Sequence, residues 1–331
     1  MIPGAPPEAR WTRPEPRRSL PASLLQRIAQ TALSGRRILA ADPLSDGLRN
    51  ANFKLLLDSP TEPVVLRIYE HDASLCRKEA DLRRLVAAAV PVPDLLYLEP
   101  NGWEDLPPFA ILRWIEAITF RDLKRTADRQ TIAQASYAAG QTLAALTRFR
   151  FPKPGWIGPG PAVTAPLLAG IDPLPRFVDL CLASSTFRQR VPAEIGARVH
   201  HLVWSQAPRL AHLDHAPCLV HGDCNKRNLL VRPSAGRWTV AALLDWEFAI
   251  AGSPLADLGS FLRYEKPAQP LIEPHFSVGY RDAGGNLPDD WRILARVLDC
   301  ATICESLASD RLPEAYVPEL SGLLEATVAA A

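Results

Sequence analysis

Two short polar motifs in the second half of the chain constrain its fold more than any other feature. The first, His-Gly-Asp with a later asparagine, ends at Asn228, and the second, Asp-Trp-Glu, begins at Asp245. Between them, two apolar stretches flank a Pro-Ser-Ala-Gly turn, a pattern that predicts a β-hairpin. Because a hairpin brings its two ends together, we expect Asp223, Asn228 and Asp245 to lie at one edge of a sheet.

Three oxygen-bearing side chains at one point suit phosphoryl transfer. The Asp223 carboxylate can orient an attacking hydroxyl group, while the Asn228 amide and the Asp245 carboxylate can hold the magnesium that neutralises nucleotide phosphates. Taken singly, Asn228 could be a turn amide and Asp245 a strand-end carboxylate. The two motifs in register favour the chemical interpretation.

Residues 40–285 resemble the aminoglycoside phosphotransferase and choline kinase-like family of small-molecule kinases. The two motifs carry this resemblance, together with Gly252, Pro254 and Asp257-Leu258 in the family's order. The resemblance implies an α+β, bilobal protein-kinase-like fold with a small antiparallel-sheet lobe and a larger, mainly helical lobe. The expected division is a flexible arm rich in proline and arginine at 1–20, a nucleotide-binding N-lobe at 21–116, and a C-lobe at 117–331 with the catalytic loop, metal site and substrate-binding helices.

The resemblance also assigns roles to individual side chains. Asp223 is expected to be the catalytic aspartate, and Asn228 and Asp245 the magnesium ligands. His221 titrates near neutral pH and could act as a base, but the family implies that it braces the loop instead. Asp257 is similar to an aspartate at a helix start that steadies the same loop through main-chain hydrogen bonds.

The N-terminal part should hold the nucleotide. Gly47 lies in a turn before Asn52, between two strand candidates, and would let backbone amides approach phosphate oxygens. By resemblance, Arg67 takes the place of the strand lysine that pairs with the α- and β-phosphates, and Glu79 on the next helix is its partner. ATP is the expected donor, and GTP stays open. The family's hinge, which binds adenine through its backbone, matches the stretch from Arg113 to Ile115.

Hydrophobic periodicity predicts the individual elements. Strands are expected at 38–40, 51–57, 63–69 and 109–115, with a tight hairpin at 97–103 that turns at Asn101-Gly102. The stretch 152–175 is rich in proline and glycine and reads as a loop. Helices are expected at 23–29, 74–89, 131–149, 194–211, 290–307 and 313–330.

The acceptor is less constrained by the sequence than the donor. Acidic residues outnumber basic ones after residue 255, which favours a cationic small molecule such as an aminoglycoside or an amino alcohol. A macrolide, a sugar or another metabolite stays open, as does the choice between antibiotic resistance and metabolism. Lys226 and Arg227 in the catalytic loop are expected to face solvent. Carboxylates available for a polyamine are Glu265, Asp289, Asp290, Asp299 and Glu305.

Composition argues against several other classes of protein. The formal net charge of the 331 residues is +1, which gives no field for nucleic acid. No apolar run reaches the ~20 residues of a membrane span, and the first 18 residues lack the apolar core of a signal peptide. The six cysteines show no disulfide or zinc spacing, which suggests a cytoplasmic protein. Two alternatives stay open: a catalytically silent nucleotide- or ligand-binding relative, and a protein-directed kinase that lacks the Asp-Phe-Gly signature.

Overall fold

The computed structural model describes residues 19–44, 50–58, 61–167, 174–213, 216–266 and 268–329. Most of the arm expected at 1–20, and Gly47, lie outside these ranges. Within them the chain begins with a short helix and a five-stranded antiparallel sheet, followed by a mainly helical part.

The N-terminal sheet has the strand order β1-β2-β3-β5-β4. Every second residue of β2 is buried, as expected for a strand with one face on a core. Helix α1 packs its apolar face on this sheet, and α2 follows β3. The bounds are α1 (Ala22–Ala32), β1 (Ile38–Pro43), β2 (Ala51–Leu57), β3 (Pro63–Ile68), α2 (Ser74–Val86), β4 (Leu95–Glu99) and β5 (Phe109–Arg113).

The tight hairpin predicted at 97–103 is wrong. Strand β4 pairs with β5, with Glu99 opposite Phe109, so the connection takes all of 100–108. Gly102 adopts a positive φ of 70° as predicted for a turn residue, but Pro107 and Pro108 cannot donate ladder hydrogen bonds. The second strand therefore starts only after the two prolines.

The rest of the chain combines two small sheets with ten helices in the described ranges. Strands β6, β10 and β11 form one sheet, and β8, β7, β12 and β9 form the other. The strands are β6 (Ile118–Thr119), β7 (Gly155–Ile157), β8 (Val163–Ala165), β9 (Cys218–Val220), β10 (Leu229–Ser234), β11 (Arg237–Leu243) and β12 (Ile250–Gly252). The helices are α3 (Phe120–Thr126), α4 (Arg129–Leu146), α5 (Leu174–Ala183), α6 (Ser185–Arg190), α7 (Ala193–Ser205), α8 (Ala207–Leu213), α9 (Leu255–Leu262), α10 (Glu273–Asp282), α11 (Trp291–Ala308) and α12 (Val317–Ala329).

Three predictions for this part need correction. The predicted loop at 152–175 contains β7 and β8, which pair with each other, and β7 also pairs with β12, far away in the sequence. The helix predicted at 194–211 is two helices, because Pro208 cannot donate to the carbonyl of Trp204 and the helix breaks. The last predicted helix begins as a 3-10 turn (Glu314–Tyr316) before α12.

A large hydrophobic core holds the helical part together. It spans the loop after α2, the catalytic hairpin and the last helices, and its largest fully buried side chains include Trp246 and Trp291. Two helices cross it at close range, since an added Cβ at Gly140 of α4 would lie 2.1 Å from the Phe276 carbonyl oxygen of α10. None of the described helices is both long and apolar enough to cross a membrane.

Candidate active site

The β10–β11 hairpin brings the two polar motifs together, as predicted. Leu229 pairs with Leu243 at its open end, and the Leu244 amide donates to the Asn228 carbonyl oxygen at 2.8 Å. Asn228 and Asp245 therefore stand on neighbouring strand ends. The site lies at this edge, between the hairpin and the N-terminal sheet.

Both carboxylate oxygens of Asp223 are held by amide side chains of its own loop. The Asn225 Nδ2 atom donates to Oδ1 at 2.8 Å, and the Asn228 Nδ2 atom donates to Oδ2 at 2.9 Å. Burial, followed by the charge of Asp245, raises the pKa of Asp223 to about 6, against the lowering effect of these amides. The carboxylate is thus fixed in direction and kept basic for a carboxyl group.

Sequence reasoning did not single out Asn225. Its Oδ1 atom accepts from the backbone amides of Arg227 and Asn228, at 2.8 and 3.3 Å, so it shapes the loop as well as holding Asp223. An asparagine two residues after a carboxylate and before a turn is the available signal, because such side chains hydrogen-bond the backbone two residues on.

Oxygen atoms suited to a magnesium ion are available at the two predicted ligands. In the described residues, Asn228 Oδ1 and Asp245 Oδ2 accept no hydrogen bond. Glu79, Asp245 and Glu247 also offer ligand atoms within 4.8 Å of one another. Magnesium prefers such carboxylate and amide oxygens, so the residues present fit the ion.

Asp245 has a left-handed backbone with a φ of 64°, a conformation that aspartate tolerates better than most residues. The turn directs its Oδ1 atom to Arg67, whose Nη2 atom lies 2.6 Å away. The same Nη2 atom lies 2.6 Å from Glu79 Oε1. Arg67 therefore joins Glu79 of α2 to Asp245 of the hairpin, and the predicted Arg67–Glu79 pair is present.

Glu79 is fully buried and held by three donors. Arg83 Nη2 and the Tyr69 hydroxyl group donate to its Oε2 atom, at 2.8 and 3.0 Å. Burial opposes ionisation, but the guanidinium groups of Arg67 and Arg83 outweigh it and keep the pKa of Glu79 below its usual value. Glu79 therefore stays ionised and holds Arg67 toward the site.

His221 has both ring nitrogens engaged in the loop. Its Nε2 atom lies 2.7 Å from the Leu244 carbonyl oxygen, and its Nδ1 atom accepts from the Asp223 amide at 3.3 Å. This pattern requires a proton on Nε2 and none on Nδ1. Burial lowers the pKa of His221 to about 4. The ring is a neutral brace, in keeping with the predicted role.

Asp257, at the start of α9, also binds the loop that contains His221 and Asp223. Its two oxygens accept from the His221 and Gly222 amides at 2.7 and 3.0 Å. Gly222 has a φ of 81°, and an added Cβ would lie 2.1 Å from the Phe248 carbonyl oxygen. No other residue fits here without displacing the loop.

The structure gives fewer side-chain contacts for the other residues predicted to bind the nucleotide. Asn52 is half-buried and pairs with Arg67 across β2 and β3. The Arg113 amide donates to the Asp94 carbonyl oxygen at 2.9 Å and its side chain pairs with the Asp94 carboxylate, so this amide is not available to adenine. Ile115 lies in the connection between β5 and β6.

Two further residues link the N-terminal part to the Asp-Trp-Glu motif and were missed by sequence reasoning. Asn50 Nδ2 donates to Glu247 Oε2 at 3.1 Å, and Lys78 Nζ donates to the Glu247 carbonyl oxygen at 2.7 Å. All three residues are buried. Both residues are far from Glu247 in the sequence, and no local sequence pattern predicts these hydrogen bonds.

Lys226 was predicted to face solvent, and this prediction is wrong. It is only 2% exposed, and its ammonium group donates to the Phe261 carbonyl oxygen at 2.6 Å. The ammonium group also lies over the rings of Phe261 and Tyr264. Lys226 therefore anchors the catalytic loop on the end of α9.

Most carboxylates expected to bind a cationic acceptor already have partners. Both Glu265 oxygens accept backbone amides of 271–273, at the start of α10. Asp299 is paired with Arg263, and Asp290 with Arg209. Asp289 and Glu305 are exposed. These five residues therefore do not form a cluster of open carboxylates.

Three comparisons relate the chain to known proteins. The model of the phosphotransferase enzyme family matches residues 40–295. The chicken (Gallus gallus) acyl-CoA dehydrogenase family member 11 is 30% identical over 185 residues, which are 53% of this chain and 21% of that protein. The chain thus corresponds to a minor part of that relative.

Solved structures share the fold. A thermostable mutant of the aminoglycoside phosphotransferase APH(4)-Ia, in a ternary complex with ADP and hygromycin B, has a TM-score of 0.64 at 18% identity, covering 93% of this chain and 99% of that one. The GDP complex of an aminoglycoside 2′-phosphotransferase-IIIa mutant has a TM-score of 0.63 at 17% identity, covering 92% and 96%. A candidate fructosamine-3-kinase of Thermobifida fusca has a TM-score of 0.58 at 19% identity, covering 93% and 99%. The predicted α+β kinase-like fold is confirmed.

Proposed function

Since the chain belongs to the phosphotransferase enzyme family, we propose that it transfers the γ-phosphoryl group of ATP to a hydroxyl group of a small molecule. The observation that carries this proposal is the Asp223, Asn228 and Asp245 constellation. One carboxylate has both oxygens fixed by amides, and two ligand oxygens beside it accept no hydrogen bond from the described residues.

Asp223 is the residue that binds the hydroxyl group of the acceptor. Its fixed carboxylate accepts a hydrogen bond from the acceptor hydroxyl group and orients the oxygen toward the γ-phosphorus. As the bond from this oxygen to the γ-phosphorus forms, the bond from the γ-phosphorus to the oxygen bridging to the β-phosphate breaks, ADP leaves with that oxygen, and Asp223 takes the hydroxyl proton. The raised pKa of about 6 suits this task, because a more basic carboxylate accepts the proton more readily. His221 stays neutral and has no proton to exchange in this step.

The donor side is formed by Asn228, Asp245 and Arg67. Asn228 Oδ1 and Asp245 Oδ2 would hold magnesium, which supplies charge neutralisation on the β- and γ-phosphates when bound. Arg67, fixed by Glu79, presents its guanidinium group to the α- and β-phosphates. A relative was solved with ADP and another with GDP; ATP is the donor we propose, and GTP is the comparison to measure.

A thermal-shift titration with AMP-PNP tests the donor site. With magnesium present, AMP-PNP should raise the melting temperature of the wild type by several degrees, because a ligand that binds only the folded state stabilises it. Asp245→Asn should lose most of this shift. Asp179→Asn, the same change in a surface pair with His200 on the outer face of α5, is the control and should keep it. An equal shift in Asp245→Asn, or one that needs no magnesium, would refute the proposed metal site.

A further inference from the structure

A guanidinium group, that of Arg263, lies beside the catalytic loop. Lys226 of that loop contacts Phe261 and Tyr264, the residues on either side of the Leu262-Arg263 pair. Arg263 therefore follows a segment of α9 that is anchored to the catalytic loop through Lys226, three residues after Asp223.

The position of Arg263 is fixed by a buried carboxylate. Its Nε atom lies 3.1 and 3.0 Å from the two oxygens of Asp299, and its Nη2 atom lies 2.6 Å from Oδ1. Asp299 belongs to α11 and is 6% exposed. A fork-like pairing of this kind leaves a guanidinium group little freedom to rotate.

The close packing of α9 and α11 supports this pairing. An added Cβ at Gly259 of α9 would lie 2.2 Å from the Ala295 carbonyl oxygen and 3.0 Å from the Cβ atom of Asp299. Only glycine allows the two helices to approach this far. The approach sets the distance that the Arg263–Asp299 pair spans.

One nitrogen of Arg263 is not used by this arrangement. Nε and Nη2 both serve Asp299, while Nη1 has no hydrogen bond to any described residue and is not among the buried unpartnered atoms. The side chain is 18% exposed, so Nη1 reaches solvent. Two N–H groups therefore remain for a ligand.

We propose that Arg263 binds an anionic group, a carboxylate or a phosphate, of the hydroxyl acceptor and so selects hydroxy acids or phosphate esters over polyamines. This inference rests on the proposed function, since it names the acceptor of the same site. Asp299 would hold the guanidinium group while Nη1 donates to the anion, and Asp223 would accept the hydrogen bond of the hydroxyl group.

The carboxylates of the C-terminal part also argue against a polyamine acceptor. A polyamine would need open carboxylates, yet Asp299 is occupied by Arg263 and Glu265 by backbone amides. A cation could use Asp299 only by displacing Arg263, which would leave a buried guanidinium group without its counter-charge. An acceptor anion meets Nη1 with no such rearrangement.

Binding of matched acceptors to the nucleotide-loaded protein tests this inference. The wild type is saturated with magnesium and AMP-PNP, and glycerate, glyceramide, 3-hydroxybutyrate, its amide, choline and inorganic phosphate are titrated by calorimetry. Each acid should bind roughly tenfold or more tightly than its amide, the scale of a charge-assisted hydrogen bond. Arg263→Gln should abolish the difference, and Arg263→Lys should keep part of it.

Two further variants separate binding from folding. Arg263→Gln leaves Asp299 without its partner, so the double variant Arg263→Gln/Asp299→Asn removes both charges and should show the same loss of acid preference in a folded protein. Arg292→Gln, which breaks the exposed pair with Glu273, is the matched control and should bind the acids like the wild type.

The outcomes are decisive for Arg263. The inference is overturned if neither acid nor inorganic phosphate binds the wild type more tightly than the folded double variant does, or if choline binds best. Failure of the proposed function would be recognised by a different result, namely that AMP-PNP does not bind to the wild type. In that case the same titrations on the nucleotide-free protein still compare wild type with the double variant.

Discussion

At the scale of single residues, the site depends on which charges the fold compensates. Asp223 is held by neutral amides, so burial and Asp245 leave its pKa raised to about 6. Glu79 is held by two guanidinium groups and its pKa is lowered despite complete burial. Burial lowers the pKa of His221 to about 4, and its hydrogen bonds to a carbonyl oxygen and an amide do not reverse this. Burial is the largest influence on each of the three pKa values, and only at Glu79 do charged partners outweigh it.

We expect His221 to stabilise the protein above neutral pH and to lose this effect in acid. Its pKa of about 4 in the folded state lies below the ordinary histidine value of 6.5, so the unfolded chain takes up a proton first as the pH falls. The contribution is complete above about pH 7 and declines between about pH 6.5 and 4, by on the order of 3 kcal/mol in all. Urea unfolding at several pH values measures it.

The matched variant for this experiment is His221→Gln, which removes the titrating ring. Other groups, including Asp223 and Asp257, also titrate in this range, so the informative quantity is the difference between wild type and variant. That difference should shrink as the pH falls from 7 to 5. A difference that stays constant with pH would show that the imidazole is not held neutral.

The motif residues of the site could be predicted because short-range spacing determines them. Asn228 and Asp245 flank a hairpin, and His221 and Gly222 precede Asp223 in the same loop. Lys226 could not be predicted correctly, since its partner, the Phe261 carbonyl oxygen, is 35 residues away. A lysine in a polar loop is more often solvated than buried, and only the tertiary contact reverses that expectation.

At the scale of secondary-structure elements, α9 organises the site more than any other helix. Asp257 in its first turn accepts hydrogen bonds from the catalytic loop, and the Phe261 carbonyl oxygen near its end accepts one from Lys226. Arg263 follows the last residue of the helix. Its position depends on close contact with α11 through Gly259. A shift of α9 would therefore disturb the loop and the acceptor side together.

We expect Gly259→Ala to destabilise the protein, because the new Cβ would lie 2.2 Å from the Ala295 carbonyl oxygen. Forcing the two helices apart should cost about 1–3 kcal/mol of unfolding free energy. Gly322→Ala is the control: this glycine lies within α12, and no atom of another described element lies within 4 Å of an added Cβ. It should stabilise by up to about 1 kcal/mol through helix propensity.

Chemical unfolding of both variants measures these changes. Opposite signs for the same substitution would establish that α9 and α11 are in close contact. If Gly259→Ala were as stable as the wild type, the packing described between α9 and α11 would be incorrect.

Local pattern predicted the long elements and failed where remote partners decide. Strands β2 and β3 and helices α4 and α11 fall close to their predicted ranges. Strands β7 and β8 lie in a stretch rich in proline and glycine. Strand β7 pairs locally with β8 and, on its other edge, with β12, some ninety residues later. The hairpin predicted at 97–103 was wrong for a local reason, since an Asn-Gly pair favours a tight turn that the following prolines prevent.

At the scale of the whole molecule, contacts to the Asp-Trp-Glu motif join the N-terminal sheet to the helical part. Arg67 of β3 reaches Asp245, and Lys78 of α2 reaches the Glu247 carbonyl oxygen. Asn50, before β2, reaches the Glu247 side chain. The metal-site strand end is thus also the place where the two parts meet, and nucleotide binding should depend on these contacts.

We expect Lys78→Met to weaken nucleotide binding several-fold and to lower the free energy of unfolding by about 1–3 kcal/mol. The substitution keeps the apolar stem and removes the donor, which leaves the Glu247 carbonyl oxygen without that hydrogen bond. Lys153→Met, at an exposed position, should change neither quantity. Calorimetric titration with AMP-PNP and urea unfolding would measure both, and equal behaviour of the two variants would contradict the proposed link.

The family and the fold class are confirmed predictions, and the lobe boundaries at 116 and 117 stay predictions. The match over residues 40–295 extends slightly beyond the 40–285 expected from the motifs. The acceptor could not be predicted, because counting acidic residues says nothing of their partners. Asp299 and Glu265 add to the negative charge of the sequence, yet Arg263 and backbone amides engage them in the structure.

The most direct test of the account is ATP turnover in wild type, Asp223→Asn and Asp179→Asn. With magnesium and a panel of hydroxy acids, amino alcohols and sugars, ADP formation by the wild type and by Asp179→Asn should exceed that of Asp223→Asn by about a hundredfold or more. Nucleotide affinity should be similar in all three proteins, because Asp223 is assigned to the acceptor. If Asp223→Asn turned over ATP as fast as the wild type, or if no hydroxyl compound stimulated the wild type, the assignment of Asp223 would be contradicted and a silent binding protein favoured.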